Sequence, residues 1–118
     1  MQLTDGGVKN MSAKSLNKVE LIGNITAQPL LRQTQQGSSL CSFTVATNRN
    51  WVTEGGERKE ETEFHKVVAW GKLAELISQL AQKGSKVFID GRIHYVKRGE
   101  GKDIQTVYEI SCNDFLLL

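Results

Sequence analysis

The 118-residue chain is poor in most of the residues that announce a chemistry. Its two cysteines, Cys41 and Cys112, stand far apart in apolar runs, with no CxxC pair and no His/Cys cluster to hold zinc. Both read as reduced, buried thiols of an intracellular protein. The apolar runs are a few residues long, too short to cross a membrane. MQLTDGGVKNMSAKSLNK at the N-terminus has neither an apolar signal core nor an Arg-rich amphipathic pattern, so no export or transit signal is read. Neither sign of charge dominates. Fifteen Lys and Arg against thirteen Asp and Glu leave a net charge of +2 and a pI near 8.6. That balance permits a nucleic-acid partner without demanding one. The two histidines, His65 and His94, have no evident Ser or Cys partner, which gives hydrolytic catalysis little support.

What the chain does have is alternation. Residues 1–16 are polar and aperiodic and read as a flexible lead-in, with Met11 an alternative natural start; residues 17–118 make one domain. NKVELIGNIT, from Asn17, reads as a first strand, with Gly23 marking a bend or bulge. AQPLLRQTQQGSS carries the only proline, Pro29, and reads as a connecting loop that clings to the sheet. LCSFTVATNRN is a second strand, WVTEGGERKEET the tip of a long hairpin around Gly55-Gly56, and ETEFHKVVAW a third strand. The period then changes. In GKLAELISQLAQKG, Leu73, Leu76, Ile77, Leu80 and Ala81 recur at three and four, which predicts a one-sided helix of about three turns. Gly84 is its expected C-cap, with Lys83 in its last turn. KVFIDGRIHYVKR is a fourth strand with an internal Gly91, GEGKD a turn, and IQTVYEISCNDFLLL a fifth strand. The order predicts an all-β, five-stranded, partly open barrel with one helix between strands three and four, the OB-fold pattern.

The third strand raises the functional question. Successive side chains point to opposite sides, so His65, Val67 and Ala69 share one face and Phe64, Lys66, Val68 and Trp70 the other. Rings beside a cation are an odd choice for a face meant only for a core. Trp51 stands where the hairpin leaves the second strand, two residues after Arg49, and strand four offers Arg92, His94, Val96 and Arg98 on one side. If these faces converge, they make a groove floored by rings and edged by cations. Such a groove suits single-stranded nucleic acid, whose bases stack on aromatics while cations track the phosphates. Core packing or a subunit interface is the competing use of the same rings.

The residues also resemble a family. NKVELIGN, FTVATNRNW, EETEFHKVVAWGKLAE and KGSKVFIDGRI, in that order, are similar to the bacterial single-stranded DNA-binding proteins from Asn17 to the last strand. The resemblance implies an OB-fold subunit, assembled as a homotetramer, that coats single-stranded DNA during replication, recombination and repair with little sequence preference. The implied stacking positions fall on Trp51, Phe64 and Trp70, the last two as an aromatic exchange between Trp and Phe. A fourth family aromatic aligns with Arg98, whose planar cation both stacks and meets phosphate. His65 aligns with a histidine linked to subunit assembly. The Gly/Gln/Pro-rich tail with an acidic tip that recruits repair and replication enzymes in the family is missing from the sequence, so no such recruitment is expected of the chain as written.

Phosphate contacts are expected from Arg32, Arg49, Lys66, Lys72, Arg92 and Arg98. No cofactor is expected: GKLAEL lacks the spacing of a phosphate-binding loop, and RGEGKD is too short for a dinucleotide fingerprint. Glu57, Glu60, Glu61 and Glu63 interleave with Arg58 and Lys59 on the hairpin, a solvated mixture that argues against a metal nuclease. The expectation is therefore a non-catalytic cytoplasmic, nucleoid-associated protein. Its alternative is a tailless primosomal accessory protein of the same fold, acting as a dimer.

Overall fold

Period-two alternation becomes strand and the period-3.6 segment becomes helix. The computed structural model describes residues 14–118, together with two short strands, Thr4–Asp5 and Val8–Lys9, paired antiparallel. The rest of the expected lead-in, as far as residue 13, lies outside the described residues. The domain comprises β1 (Val19–Ile25), β2 (Leu30–Gln33), β3 (Ser39–Val52), β4 (Arg58–Trp70), α1 (Gly71–Leu80), β5 (Lys86–Arg98) and β6 (Gln105–Leu117). They form one sheet in the order β1-β5-β6-β4-β3-β2, and a further β1–β3 pairing at Asn24↔Ala46 and Ile25↔Val45 closes it. The pairings are antiparallel except β4–β6, which run parallel at Val67↔Ile110 and Val68↔Ser111. Setting aside the short edge strand β2, five strands close a barrel with α1 between the third and fourth. This is the OB fold.

Two glycines let the strands coil. A Cβ on Gly23 would strike the Ala46 carbonyl, where β1 passes from β5 to β3. One on Gly91 would strike the Ser111 carbonyl, beside the register shift at Asp90/Gly91. The entry to β1 is pinned from the side: the Asn17 amide donates to the Ile93 carbonyl at 2.7 Å and accepts from the Ile93 N–H at 2.9 Å. Lys18 Nζ meets Asp90 Oδ1 at 2.8 Å, and that hydrogen bond raises the lysine pKa. Inside, Ile25, Val45, Val67, Ile77, Val87 and Ile89 are fully buried, and Phe43 packs edge-on against Phe115 with centroids 6.4 Å apart. Both cysteines are free and buried. Burial raises the Cys41 thiol pKa and pushes Cys112 up to about 12.

Four expectations need correction. The loop AQPLLRQTQQGSS contains a strand: Leu30–Gln33 pairs with Ser39–Ser42. It lacks alternation because all four of its residues are exposed at the sheet edge. The hairpin tip is shorter than the polar segment suggested, since the β3–β4 ladder continues to Val52↔Arg58. Backbone pairing there needs no apolar face. The helix ends at Leu80, where the Ala81 N–H donates to the Ile77 carbonyl at 2.9 Å. Gly84, at φ +89°, serves the turn beyond it and donates to the Ile25 carbonyl, and Lys83 lies outside the helix. The helix buries Ala74 and Ile77, followed by Ala81, with Leu73 partly covered, while Leu76 and Leu80 are exposed. A small alanine lets the helix sit close on the barrel, and the two leucines flank that contact.

Candidate nucleic-acid interface

The pleat of β4 separates its two sides as alternation predicted. Val67 and Ala69 are fully buried, whereas Phe64 is 65% exposed and Trp70 53% exposed on the outer side. Val68 shares that outer side but is only 5% exposed. Cross-strand register extends the face on both flanks. Arg32 lies opposite Leu40, which lies opposite Trp70; Leu30, Ser42, Val68, Ser111 and Arg92 make the next row. Thr44 lies opposite Lys66 in the row after that, and Ala46 opposite Phe64 in the last. Phe64 and Trp70 are thus about 20 Å apart along one strand, with Lys66 and Val68 between them.

Trp70, Lys72 and Arg92 line one open recess of about 710 Å³ with Ser38, Ser111 and Asn113. Trp70 is also the residue that caps α1, without a side-chain bond to the helix, so its ring is left for other contacts. Lys66 edges a smaller recess of about 170 Å³ with Leu30, Ser42 and Thr44. Chemically, the face offers flat apolar surfaces alternating with cations. Among the described residues, no group of three or more His, Cys, Asp or Glu is placed to hold a metal ion. No helix among them is long and apolar enough to cross a membrane.

Not every expected residue joins this face. Trp51 pairs with Lys59, and Arg49 with Glu61, which puts both on the same pleat side as Thr47 and His65 and opposite Phe64. They stand on the part of the hairpin that projects beyond the barrel, where the inward side has no core to meet. The Arg49 guanidinium carbon lies 4.6 Å from the Trp51 ring centroid, and Trp51 lines a recess of about 380 Å³ with Arg58 and Lys59. His65 Nε2 is hydrogen-bonded to the Thr47 hydroxyl at 2.8 Å.

Arg98 is engaged by a residue the sequence reading passed over. Glu109, opposite His94 on β6, is 7% exposed and sits on the outer side beside the cations. Its carboxylate lies 3.3 Å from Arg98 Nη2 and 4.0 Å from His94 Nδ1. Parity in VYEIS separates Glu109 from Ile110, but only the register, which sets Ser111 between Val68 and Arg92, shows that the Glu109 side is the outer one. Tyr95 and Tyr108 were also passed over; exposed and directly opposed across β5–β6, their rings tilt against each other at 6.4 Å.

Comparison with known proteins agrees with the fold. The single-strand binding protein family model matches residues 16–118. The chain is 41% identical over 108 residues to single-stranded DNA-binding protein 1 of Chlorobaculum tepidum, covering 90% of this chain and 67% of that protein. It is 40% identical over 106 residues to the single-stranded DNA-binding protein of Neisseria meningitidis serogroup A, covering 88% of this chain and 60% of that protein, so the chain spans only about three fifths of that relative. Among solved structures, the Plasmodium falciparum SSB complex with ssDNA superposes with a TM-score of 0.83 at 29% identity, over 92% of this chain and 99% of that one. A deletion mutant of the single-stranded DNA binding protein from Thermus aquaticus gives 0.78 at 28%, over 87% of this chain and 50% of that one. By sequence and by fold, the chain belongs to the single-strand binding protein family.

Proposed function

We propose that this chain binds single-stranded DNA without catalysis and with little sequence preference, serving replication, recombination and repair in the cytoplasm. One observation carries the reading. Two rings, Phe64 and Trp70, stand open on the same face as Lys66, Lys72 and Arg92, in a family whose solved members include a complex with single-stranded DNA. Bases stack on Phe64 and Trp70, and on Trp51 from the projecting hairpin. Phosphates are neutralised by Arg32, Lys66, Lys72, Arg92 and Arg98, with Arg49 on the hairpin nearby. No pattern of base-edge donors and acceptors is needed for this mode, because every base has a π-face. Self-association into a homotetramer belongs to the same reading, with His65 at a contact between copies of the chain.

The test is intrinsic tryptophan fluorescence during titration with oligo(dT) at low and high salt. Saturating quenching that weakens with salt is the expected result. A folded protein whose emission ignores oligo(dT) overturns the reading, since Trp51 and Trp70 then meet protein and not bases.

A further inference from the structure

The β3–β4 ladder runs past the end of the barrel, and there its inward pleat side is released from the core. Thr47, Arg49 and Trp51 occupy that side of β3, with Glu61 directly across from Arg49. Arg49 makes two contacts at once. Its guanidinium carbon lies 4.6 Å from the Trp51 ring centroid, and its Nη1 lies 4.0 Å from Glu61 Oε1. The indole has two faces, and one of them is covered. Trp51 is accordingly less exposed, at 36%, than Phe64 or Trp70, although it stands farther from the core.

A ring on a projecting ribbon, with no core behind it, needs something to hold it flat. A guanidinium does this where an ammonium does not: it is planar, stacks on a ring and still donates at its edge to a carboxylate. Glu61, 4.0 Å away and beyond hydrogen-bond distance, partly cancels the charge of the cation. We propose that Arg49 is a positioning residue for Trp51, covering one face of the indole so that the other is presented to a nucleobase. The stack is then base, indole, guanidinium, with Glu61 as a loose ion-pair partner of the cation. Arg49 thereby acts on the ring and contributes little to phosphate neutralisation. The inference rests on the reading that Trp51 stacks bases.

The experiment uses the full chain with Trp70→Phe as the common background, leaving Trp51 as the only tryptophan. Arg49→Ala and Arg49→Lys are added singly. Affinity for labelled oligo(dT) is followed by anisotropy across a salt series, and acrylamide access to Trp51 is measured without DNA. Arg49→Ala is expected to open Trp51 to acrylamide and to weaken binding roughly three- to ten-fold at an unchanged salt slope. Arg49→Lys is expected to behave like Arg49→Ala, since it keeps the charge and loses the plane. If Arg49→Lys binds like the background while Arg49→Ala lowers the slope by about 0.7, Arg49 is a phosphate contact and the proposal is overturned. The two readings fail differently. Trp51 emission that oligo(dT) leaves unquenched in the background overturns the stacking reading and this inference with it. Quenching with normal affinity and normal acrylamide access in Arg49→Ala overturns the inference alone.

Discussion

Removing the Trp70 ring separates binding from folding. Stacking of a base on an aromatic is worth about 1–3 kcal/mol, so Trp70→Ala is expected to weaken binding of oligo(dT) roughly 5- to 150-fold. The stability cost is smaller and comes from the covered part of the ring. Full burial of a large apolar side chain is worth about 1.5–3 kcal/mol. With Trp70 53% exposed, about half of that is at stake, on the order of 1 kcal/mol. For a domain of this size that lowers Tm by about 4–8 °C. No capping bond is lost, because Trp70 caps α1 without its side chain. Binding is read by anisotropy of a labelled oligonucleotide, since one intrinsic fluorophore has been removed, and folding by circular dichroism with temperature. Normal affinity in the variant refutes the stacking role. A fall in Tm of tens of degrees refutes the assignment of the ring to the outer face.

Three further outcomes follow from the same face and its core. Lys66→Ala should lower the salt slope of binding by about 0.7, and an unchanged slope takes Lys66 off the phosphate path. Glu109→Gln keeps a hydrogen-bond acceptor while removing the charge that engages Arg98, so binding should tighten and its salt slope steepen; an unaltered titration would show that Arg98 stays off the DNA. Burial holds the Cys112 proton in the native state up to about pH 12, against an ordinary thiol value of 9.0. Between those values the unfolded chain releases a proton that the native chain keeps, so stability falls as pH rises, by at most about 1.4 kcal/mol per pH unit. Urea midpoints from pH 8 to 10.5 should therefore decline less steeply in Cys112→Ala than in the parent, and equal declines refute the assignment.

Much of this was legible in the chain because one face of each long strand had to be apolar. Phe43 and Val45, and Val67 and Ala69, alternate with polar or outward residues, and that pattern located β3 and β4. The same rule failed wherever no side had to be buried. Leu30–Gln33 is exposed throughout and so carried no period, yet it pairs through its backbone. WVTEGGERKEET is polar on both sides of Gly55-Gly56 and reads as a hairpin tip, although the β3–β4 ladder continues through Val52↔Arg58. The outer rings and Lys66 were found by parity on a single strand. Convergence of Arg92 and Lys72 around Trp70 depends on the parallel β4–β6 pairing, which no local pattern encodes. Glu109 was missed for a related reason: an acid in a strand reads as solvated until register shows what covers it.

The closure of the barrel has a consequence for how the chain comes off the ribosome. Of the barrel strands β1 is made first, yet most of its partners are on β5, about sixty to seventy residues later, from Val19↔Gly91 to Asn24↔Lys86. The β3–β4 hairpin contains its own partners and can form early, whereas β5 must wait for β6, and each hairpin alone presents an unsealed apolar side. Only when residues 110–111 reach Val67 and Val68 does the parallel seam join the two hairpins. Assembly is thus governed by late, distant pairings, which slow folding relative to a chain of local contacts. Until the last strand emerges, the nascent chain carries the β3–β4 hairpin and a β5 without its hairpin partner, whose apolar sides must be kept from other chains.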